Sequence, residues 1–169
     1  MEQTINDLLK VARIDQYDEI KEQLNFANIV EEVKEANLTL IEEQNASIVM
    51  ETSFPDLNFS KVNALQLLQN LIINGITYRS EDPPIIRLSC RDNGPEWLFS
   101  IADNGIGIAP EFQQKIFGLF HRLHHQKDIP GTGIGLAICK KIVERNGGKM
   151  GVHSEAGKGA TFFFSIPKQ

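Results

Sequence analysis

The feature that most restricts what this chain can fold into is a pair of glycine clusters bracketing one basic and aromatic segment between Ile101 and Leu136. The first cluster reads Ile101-Ala102-Asp103-Asn104-Gly105-Ile106-Gly107-Ile108 and the second Gly131-Thr132-Gly133-Ile134-Gly135-Leu136, with Ile116-Phe117-Gly118-Leu119-Phe120-His121-Arg122-Leu123 between them. Lacking a Cβ, glycine lets the backbone turn through positive φ and approach a ligand closely, and a glycine-rich turn leading into a helix points free N–H groups at an anion. A phosphate suits that arrangement. Asp103 ends the alternating run Trp97-Leu98-Phe99-Ser100-Ile101, where a strand would deliver one carboxylate to the mouth of a pocket, able to accept from an exocyclic amine. One such cluster is explained equally well by ordinary turns; two in order point to a site.

Composition removes other classes. With 169 residues, 41% hydrophobic and 23% charged, the chain has the size and make-up of one globular domain with room for an appendage. A net charge of -5 gives no global basic field for nucleic acid or an anionic membrane, so any anion must be bound locally. No apolar run approaches the roughly 18 residues needed to span a bilayer, and Met1-Glu2-Gln3 does not begin a secretory signal. A cytoplasmic protein without direct membrane insertion is expected. Cys90 and Cys139 lie in apolar surroundings, without ligand-like spacing to His121, His124, His125 or His153, and read as buried free thiols.

Taken in order, residues 4–13 carry apolar side chains at 5, 8, 9 and 12, an amphipathic helix. Residues 1–15 are read as the tail of a longer upstream helix, an ordinary N-terminal helix being the alternative, and 16–169 as the main domain. A short strand is expected at 24–26, a helix from Ile29 to about residue 45, and strands at 47–52 and 57–59 around Pro55-Asp56. Ser60 can cap the next helix, in which 62, 65, 68, 72 and 76 form an apolar face while Asn63, Gln66, Asn70, Asn74 and Thr77 line another. Those amides need partners, because an unpaired buried amide costs about 1–3 kcal/mol. Solvent can supply them, or a magnesium ion with its waters, since a side-chain carbonyl is a hard oxygen ligand. A hairpin of 85–91 and 96–102 turns at Asn93-Gly94, a short helix spans 110–117, and residues 118–132 read as a lid. A helix from Ile134 to Arg145, with Leu136, Ala137, Ile138, Ile142 and Val143 inward, ends at Gly147-Gly148, and strands at 149–154 and 161–166 close the chain.

Together these segments resemble the ATP-binding catalytic domain of bacterial sensor histidine kinases, within the wider group that includes gyrase, heat-shock chaperones and mismatch-repair ATPases. Leu67-Leu68-Gln69-Asn70-Leu71-Ile72-Ile73-Asn74 is similar to the asparagine box, Asp103 to Gly107 to the first glycine box, Phe117 to Leu123 to the phenylalanine box, Gly131 to Leu136 to the second glycine box, and Gly157-Lys158-Gly159-Ala160-Thr161-Phe162 to the third. The phrases Tyr78-Arg79-Ser80-Glu81-Asp82-Pro83-Pro84 and Phe120-His121-Arg122-Leu123-His124 resemble kinases of the phytochrome-like type. The resemblance implies a two-layer α/β sandwich, the Bergerat fold: a mixed sheet of about five strands, three main helices on one face and a flexible ATP lid. It implies ATP and Mg2+ as cofactors, with Asp103 accepting from the adenine amine, Asn74 binding magnesium, and Gly131, Gly133 and Gly135 letting a helix N-terminus reach the phosphates. Tyr78, Gly105, Gly107, Ile108, Phe120, Thr132 and Leu136 are also expected to bind the nucleotide, Thr161 would touch the adenine end through water, and Arg122 and Lys127 would face the triphosphate, where a guanidinium pairs two phosphate oxygens at once. The implied partners are upstream dimerisation and phosphoacceptor helices and a response regulator, with a homodimeric full-length protein and a monomeric domain.

The departures matter as well. Where the family usually continues the asparagine box with Asn-Ala-x-Lys and an aromatic, this chain has Asn74-Gly75-Ile76-Thr77-Tyr78. The phosphate-facing lysine is replaced by a hydroxyl, and Gly75 costs up to about 1 kcal/mol of helix propensity relative to Ala. Hydrolysing relatives carry a glutamate base one turn before the magnesium asparagine, and here that position is Asn70, an amide that takes no proton at neutral pH. The expected catalytic set is therefore Asn70, Asn74 and Arg122, suited to handing the γ-phosphate to an external histidine. The alternatives are a degenerate nucleotide-binding regulatory module, which Thr77 favours, and an anti-sigma-like serine kinase.

Overall fold

The computed structural model describes residues 2–14, 19–120 and 133–169. Its elements run α1 (Glu2–Ile14), β1 (Glu22–Asn25), α2 (Phe26–Ala36), α3 (Leu38–Glu43), β2 (Ser47–Met50), β3 (Asp56–Phe59), α4 (Lys61–Thr77), β4 (Ile85–Asp92), β5 (Glu96–Asp103), two 3-10 turns (Pro110–Phe112 and Lys115–Phe117), α5 (Gly135–Arg145), β6 (Met150–Ser154) and β7 (Ala160–Pro167). A five-stranded sheet in the order β2-β4-β5-β7-β6 joins β2 to β4 in parallel and its other neighbours antiparallel, and β1 and β3 form a separate antiparallel pair. Helix α4 packs on β4 and β5, α5 on β6 and β7, and α2 on α4. This is the mixed two-layer sandwich that the motifs implied.

Strand periodicity builds the interface between the layers, because successive side chains point to opposite faces. Ile86, Leu88 and Cys90 on β4, Phe99 and Ile101 on β5, and Phe162 and Phe164 on β7 are buried together. Phe99 stacks on its cross-strand partner Phe164 at 4.9 Å between centroids, while Phe26 meets Phe99 at 5.3 Å and the edge of Phe59 at 5.5 Å. The antiparallel pairing of β5 with both β4 and β7 delivers Asp103, the last residue of β5, to the end of the sheet beside α4. No helix among the described residues is long and apolar enough to cross a membrane.

Some local expectations are corrected. The helix expected from 29 to 45 is two helices, because Asn37 leaves helical geometry (φ -120°, ψ 21°) and its side-chain amide donates to the Val33 carbonyl at 2.7 Å, the local competition that makes asparagine a poor helix interior residue. Phe26 is not in the first strand. It opens α2, because the Asn25 Oδ1 accepts from the Ala27 N–H at 2.9 Å and caps the helix. The expected helix over 110–117 is instead two 3-10 turns around Gln113, whose amide is tied to Ile108 and Ser154. On α4 the buried face runs through Ala64, Leu67, Leu68, Leu71, Ile72, Gly75 and Ile76, whereas Val62 is 72% exposed and Leu65 only half-buried. The helix is rotated so that the small residues Ala64 and Gly75 lie inward. Likewise α5 buries Ile138, Cys139, Ile142 and Val143, leaving Leu136 and Ala137 half-buried.

Candidate functional site

The site is built on Asp103, half-buried at the end of β5. Its Oδ1 accepts from the backbone N–H of Gly105 at 2.9 Å and of Ala160 at 3.2 Å. Both donors fall on one oxygen, so among the described residues Oδ2 is left as an acceptor without a donor. Burial raises the carboxyl above its ordinary value, and the two N–H groups oppose that shift. A partly desolvated carboxylate with one oxygen fixed and the other open can accept one well-directed hydrogen bond from a ligand.

Two turns hold this carboxylate from either side. Gly107 (φ +71°) approaches the second turn so closely that a Cβ would stand 2.1 Å from the Glu155 carbonyl, and at Gly159 (φ +82°) a Cβ would stand 2.0 Å from the Asp103 carbonyl. These glycines serve the close approach of the chain to itself. Gly105 packs in the same way against the Tyr78 carbonyl, which accepts from the Ile106 N–H at 3.1 Å and so ties the end of α4 to the loop. Gly157 donates to the Ile106 carbonyl at 2.7 Å, and Asn104 bridges to Ile85 and Pro83. Ile108 is buried where the loop leaves the site.

Helix α4 contributes the other wall. Asn74 and Thr77 are half-buried, and among the described residues the Asn74 side-chain amide has no hydrogen-bond partner within the protein. Asn70 differs: its Nδ2 donates to the Gly135 carbonyl at 3.1 Å and so positions the start of α5. Helix α5 begins after Ile134 without a side-chain cap, so among the described residues no side chain caps the first-turn N–H groups, the kind an anion can take up. A Cβ on Gly135 would meet Asn70 no closer than 3.6 Å. Gly75, which the sequence presents only as a weak helix residue, faces the sheet, where a Cβ would stand 2.4 Å from Ile86 Cδ1 and 3.2 Å from Asp103 Cβ.

Asp103, Gly105, Gly107, Ile108 and Tyr78 are thus linked through contacts of the two turns and the end of α4, while Asn70 joins Gly135 further back on that helix, which also carries Asn74. Arg122, Lys127, Gly131 and Thr132, with His121, His124 and His125, lie outside the described residues. Gly133 accepts from the Phe120 N–H at 3.1 Å, and Phe120 itself is 53% exposed with φ +62°; the inward aromatic of that motif is Phe117, edge-on to Phe162 at 6.3 Å. Thr161 lies on the strand beside Asp103 but makes no hydrogen bond to it. It pairs with Ala102, and strand alternation turns both to the face away from Phe162 and Asp103, so the contact to Asp103 comes from the neighbouring Ala160 backbone. Sequence reasoning missed Ala160, Ser154 and Gln113; the only signal for Ala160 was its place directly after Gly159. A surface cleft of about 320 Å³ lined by Asp56, Asn58, Trp97, Asn146 and Lys168 shares no residue with this site.

The family model described as "Histidine kinase-, DNA gyrase B-, and HSP90-like ATPase" matches residues 60–169. The chain is 41% identical to phytochrome-like protein Cph1 of Synechocystis sp. over 171 residues, covering 99% of this chain and 22% of that protein. It therefore spans about a fifth of that relative's length. Among solved structures, the nucleotide-free catalytic domain of histidine kinase ThkA matches with a TM-score of 0.74 at 28% identity, covering 88% of this chain and 95% of that one. Full-length ShkA in complex with AMPPNP matches with a TM-score of 0.79 at 26% identity, covering 98% of this chain and 35% of that one.

Proposed function

The chain belongs to the family of histidine kinase-, DNA gyrase B- and HSP90-like ATPases, and on that footing we propose that it is the ATP-binding catalytic domain of a two-component sensor histidine kinase. In this reading it passes the γ-phosphate of Mg-ATP to a histidine on upstream dimerisation helices, from which a response regulator takes it. The observation that carries the nucleotide assignment is Asp103, with Oδ1 held by two backbone N–H groups and Oδ2 open. Adenine offers that oxygen an amine, whereas guanine would oppose it with a carbonyl.

Asp103 orients the base, and the uncapped first turn of α5 presents N–H groups to the phosphates. Asn74, whose amide has no partner among the described residues, would hold Mg2+ through its side-chain oxygen; among those residues no three His, Cys, Asp or Glu side chains form an alternative cluster. When bound, the ion supplies charge neutralisation along the phosphates. Asn70 is committed to the Gly135 carbonyl and, as an amide, takes no proton at neutral pH, so it does not activate water. The acceptor is then an imidazole nitrogen of a separate helix, forming an N–P bond as the bond from the γ-phosphorus to the bridging oxygen breaks and ADP leaves. We assign residues 1–15 to the end of those upstream helices, which the exposed Ile5, Leu8 and Leu9 of α1, packed beside α5, support. The whole protein would then be a cytoplasmic homodimer.

Thr77 favours a second reading, a nucleotide-binding module that signals without transfer. Calorimetry and γ-labelled ATP separate the two. ADP is expected to bind while GDP does not, Asp103→Asn to lose most ADP binding, and Asn74→Ala to lose the magnesium dependence of affinity. The domain alone should not label itself, and adding the helix pair should give acid-labile labelling. Equal ADP and GDP affinity would end the Asp103 assignment; tight ADP binding with no transfer to the helix pair would favour the signalling module.

A further inference from the structure

The Asp103 carboxylate is steered by a hydroxyl that never touches it. Ser154, at the end of β6, accepts the Ile108 N–H on its Oγ at 2.8 Å and donates the same hydroxyl to the Gly159 carbonyl at 2.7 Å. The Gly159 carbonyl and the Ala160 N–H belong to one planar peptide unit. That N–H is one of the two donors that lock Asp103 Oδ1. The hydroxyl holds one end of the peptide, and the carboxylate is held by the other. A rigid amide thus converts a hydrogen bond at Ser154 into the direction of a hydrogen bond at Asp103, and donors and acceptors chained in this way polarise one another.

Gln113 braces the relay from outside. Its Nε2 donates to the Ser154 carbonyl at 2.8 Å and to the Ile108 carbonyl at 3.1 Å. The path runs from the loop after Asp103, through Ser154, to the turn that returns to Asp103. It closes a ring around the carboxylate, built from one hydroxyl, one amide side chain and backbone.

Building on the adenine-site reading, we propose that Ser154 is a positioning residue for base selection, with Gln113 as its support: the Ser154 hydroxyl sets the Gly159–Ala160 peptide so that Asp103 keeps Oδ1 occupied and presents Oδ2 to the base. Removing the hydroxyl leaves the Ile108 N–H and the Gly159 carbonyl without this partner and frees the peptide to rotate. Asp103 then divides its acceptor capacity between protein and ligand, and the discrimination between an amine and a carbonyl on the base shrinks.

The test uses ADP and inosine diphosphate, which carries a carbonyl where adenine carries its amine. The ratio of the two affinities is measured by calorimetry for the parent, Ser154→Ala, Ser154→Thr and Gln113→Leu, with thermal unfolding recorded on each sample. Ser154→Ala is expected to weaken ADP roughly tenfold, as loss of a buried hydrogen-bond partner does, while leaving the weak inosine diphosphate binding alone, so that the ratio narrows. Ser154→Thr should restore it, and Gln113→Leu should narrow it by a smaller factor. A purely structural serine would lower the unfolding temperature and leave the ratio unchanged; an unchanged ratio in both Ser154→Ala and Gln113→Leu overturns the inference. If Ser154→Ala does not fold, Gln113→Leu alone decides by the same criterion. A parent that binds both nucleotides equally would instead overturn the adenine site itself.

Discussion

The packing of Gly75 against Ile86 sets up a test in which two changes, neither favourable alone, should repair one another. Replacing Gly75 by Ala in the interior of α4 gains about 1 kcal/mol of helix propensity. The new Cβ, however, would stand 2.4 Å from Ile86 Cδ1, and Ile86 is 0% exposed, so the methyl has no solvent into which to turn. Overpacking of this kind costs about 1–3 kcal/mol, leaving Gly75→Ala roughly neutral to 2 kcal/mol destabilised. Ile86→Val removes the clashing atom and, alone, costs about 0.5–1.5 kcal/mol for the space it leaves. In the double variant the alanine methyl moves toward that space, the overpacking cost falls away and the propensity gain remains. The two changes should therefore couple favourably by about 1–3 kcal/mol, which urea denaturation of the four proteins measures directly. For a domain of this size about 1 kcal/mol is roughly 2–4 °C in melting temperature. The same cycle read by ADP calorimetry should show Gly75→Ala weakening the nucleotide, because its Cβ also comes within 3.2 Å of Asp103 Cβ. Additive stabilities, agreeing within about 0.5 kcal/mol, would refute the argument that α4 carries glycine here to approach the sheet.

Three further outcomes follow from the same geometry. Asp103 holds its proton to higher pH in the fold than in the unfolded chain, so its contribution to stability is largest in acid and is lost as pH rises through the raised value, whereas ADP affinity should rise over that interval because, with Oδ1 occupied by two N–H groups, a proton on Oδ2 would set a donor against the adenine amine; calorimetry and denaturation across it should run in opposite directions. Thr77→Lys should tighten ATP severalfold, by a factor that shrinks with added salt because the gain is a screened charge, and a salt-independent change would show that the lysine does not face the phosphates. Burial pushes the Cys139 thiol up to about 12, and burial with the nearby Asp92 charge pushes Cys90 up to about 11; both should resist alkylation at neutral pH in the folded domain and react once urea exposes them.

Much of the fold could be read from periodicity because its signals are local. The alternation through Trp97 to Ile101 is that of a strand buried on one face, and the amide stripe on α4 marks a polar face that needs partners, one of which, for Asn70, is the Gly135 carbonyl. What periodicity could not give was rotation and interruption. Val62 and Leu65 have the right spacing for a buried face, but the face is chosen by where Ala64 and Gly75 can come close to the sheet. The break at Asn37 depends on one side-chain hydrogen bond to Val33, which competes with helix continuation without altering the hydrophobic pattern. Asn25 is the reverse case, since asparagine is an ordinary helix-start signal and the strand expected over 24–26 runs past it into the helix it caps.

The candidate site divides along a different line. Asp103 and Asn74 could be singled out as candidates because a carboxylate at a strand end or an amide on an apolar helix is visible in the residue name. Ala160 was not, because its part is played by a backbone N–H that every residue except proline possesses, so its name carries no information about its role. Thr161 drew the assignment instead, having a hydroxyl one position away, and one position along a strand is the opposite face of the sheet. The trace that such a backbone role leaves in a sequence lies in the residues that fix the peptide plane. Here these are Gly159, which alone tolerates the turn pressed against the Asp103 carbonyl, and Ser154, which holds the far end of the Gly159–Ala160 amide. A glycine in a forced turn with a small hydroxyl residue a few positions upstream is therefore a better pointer to an aimed N–H than any property of the residue that donates it.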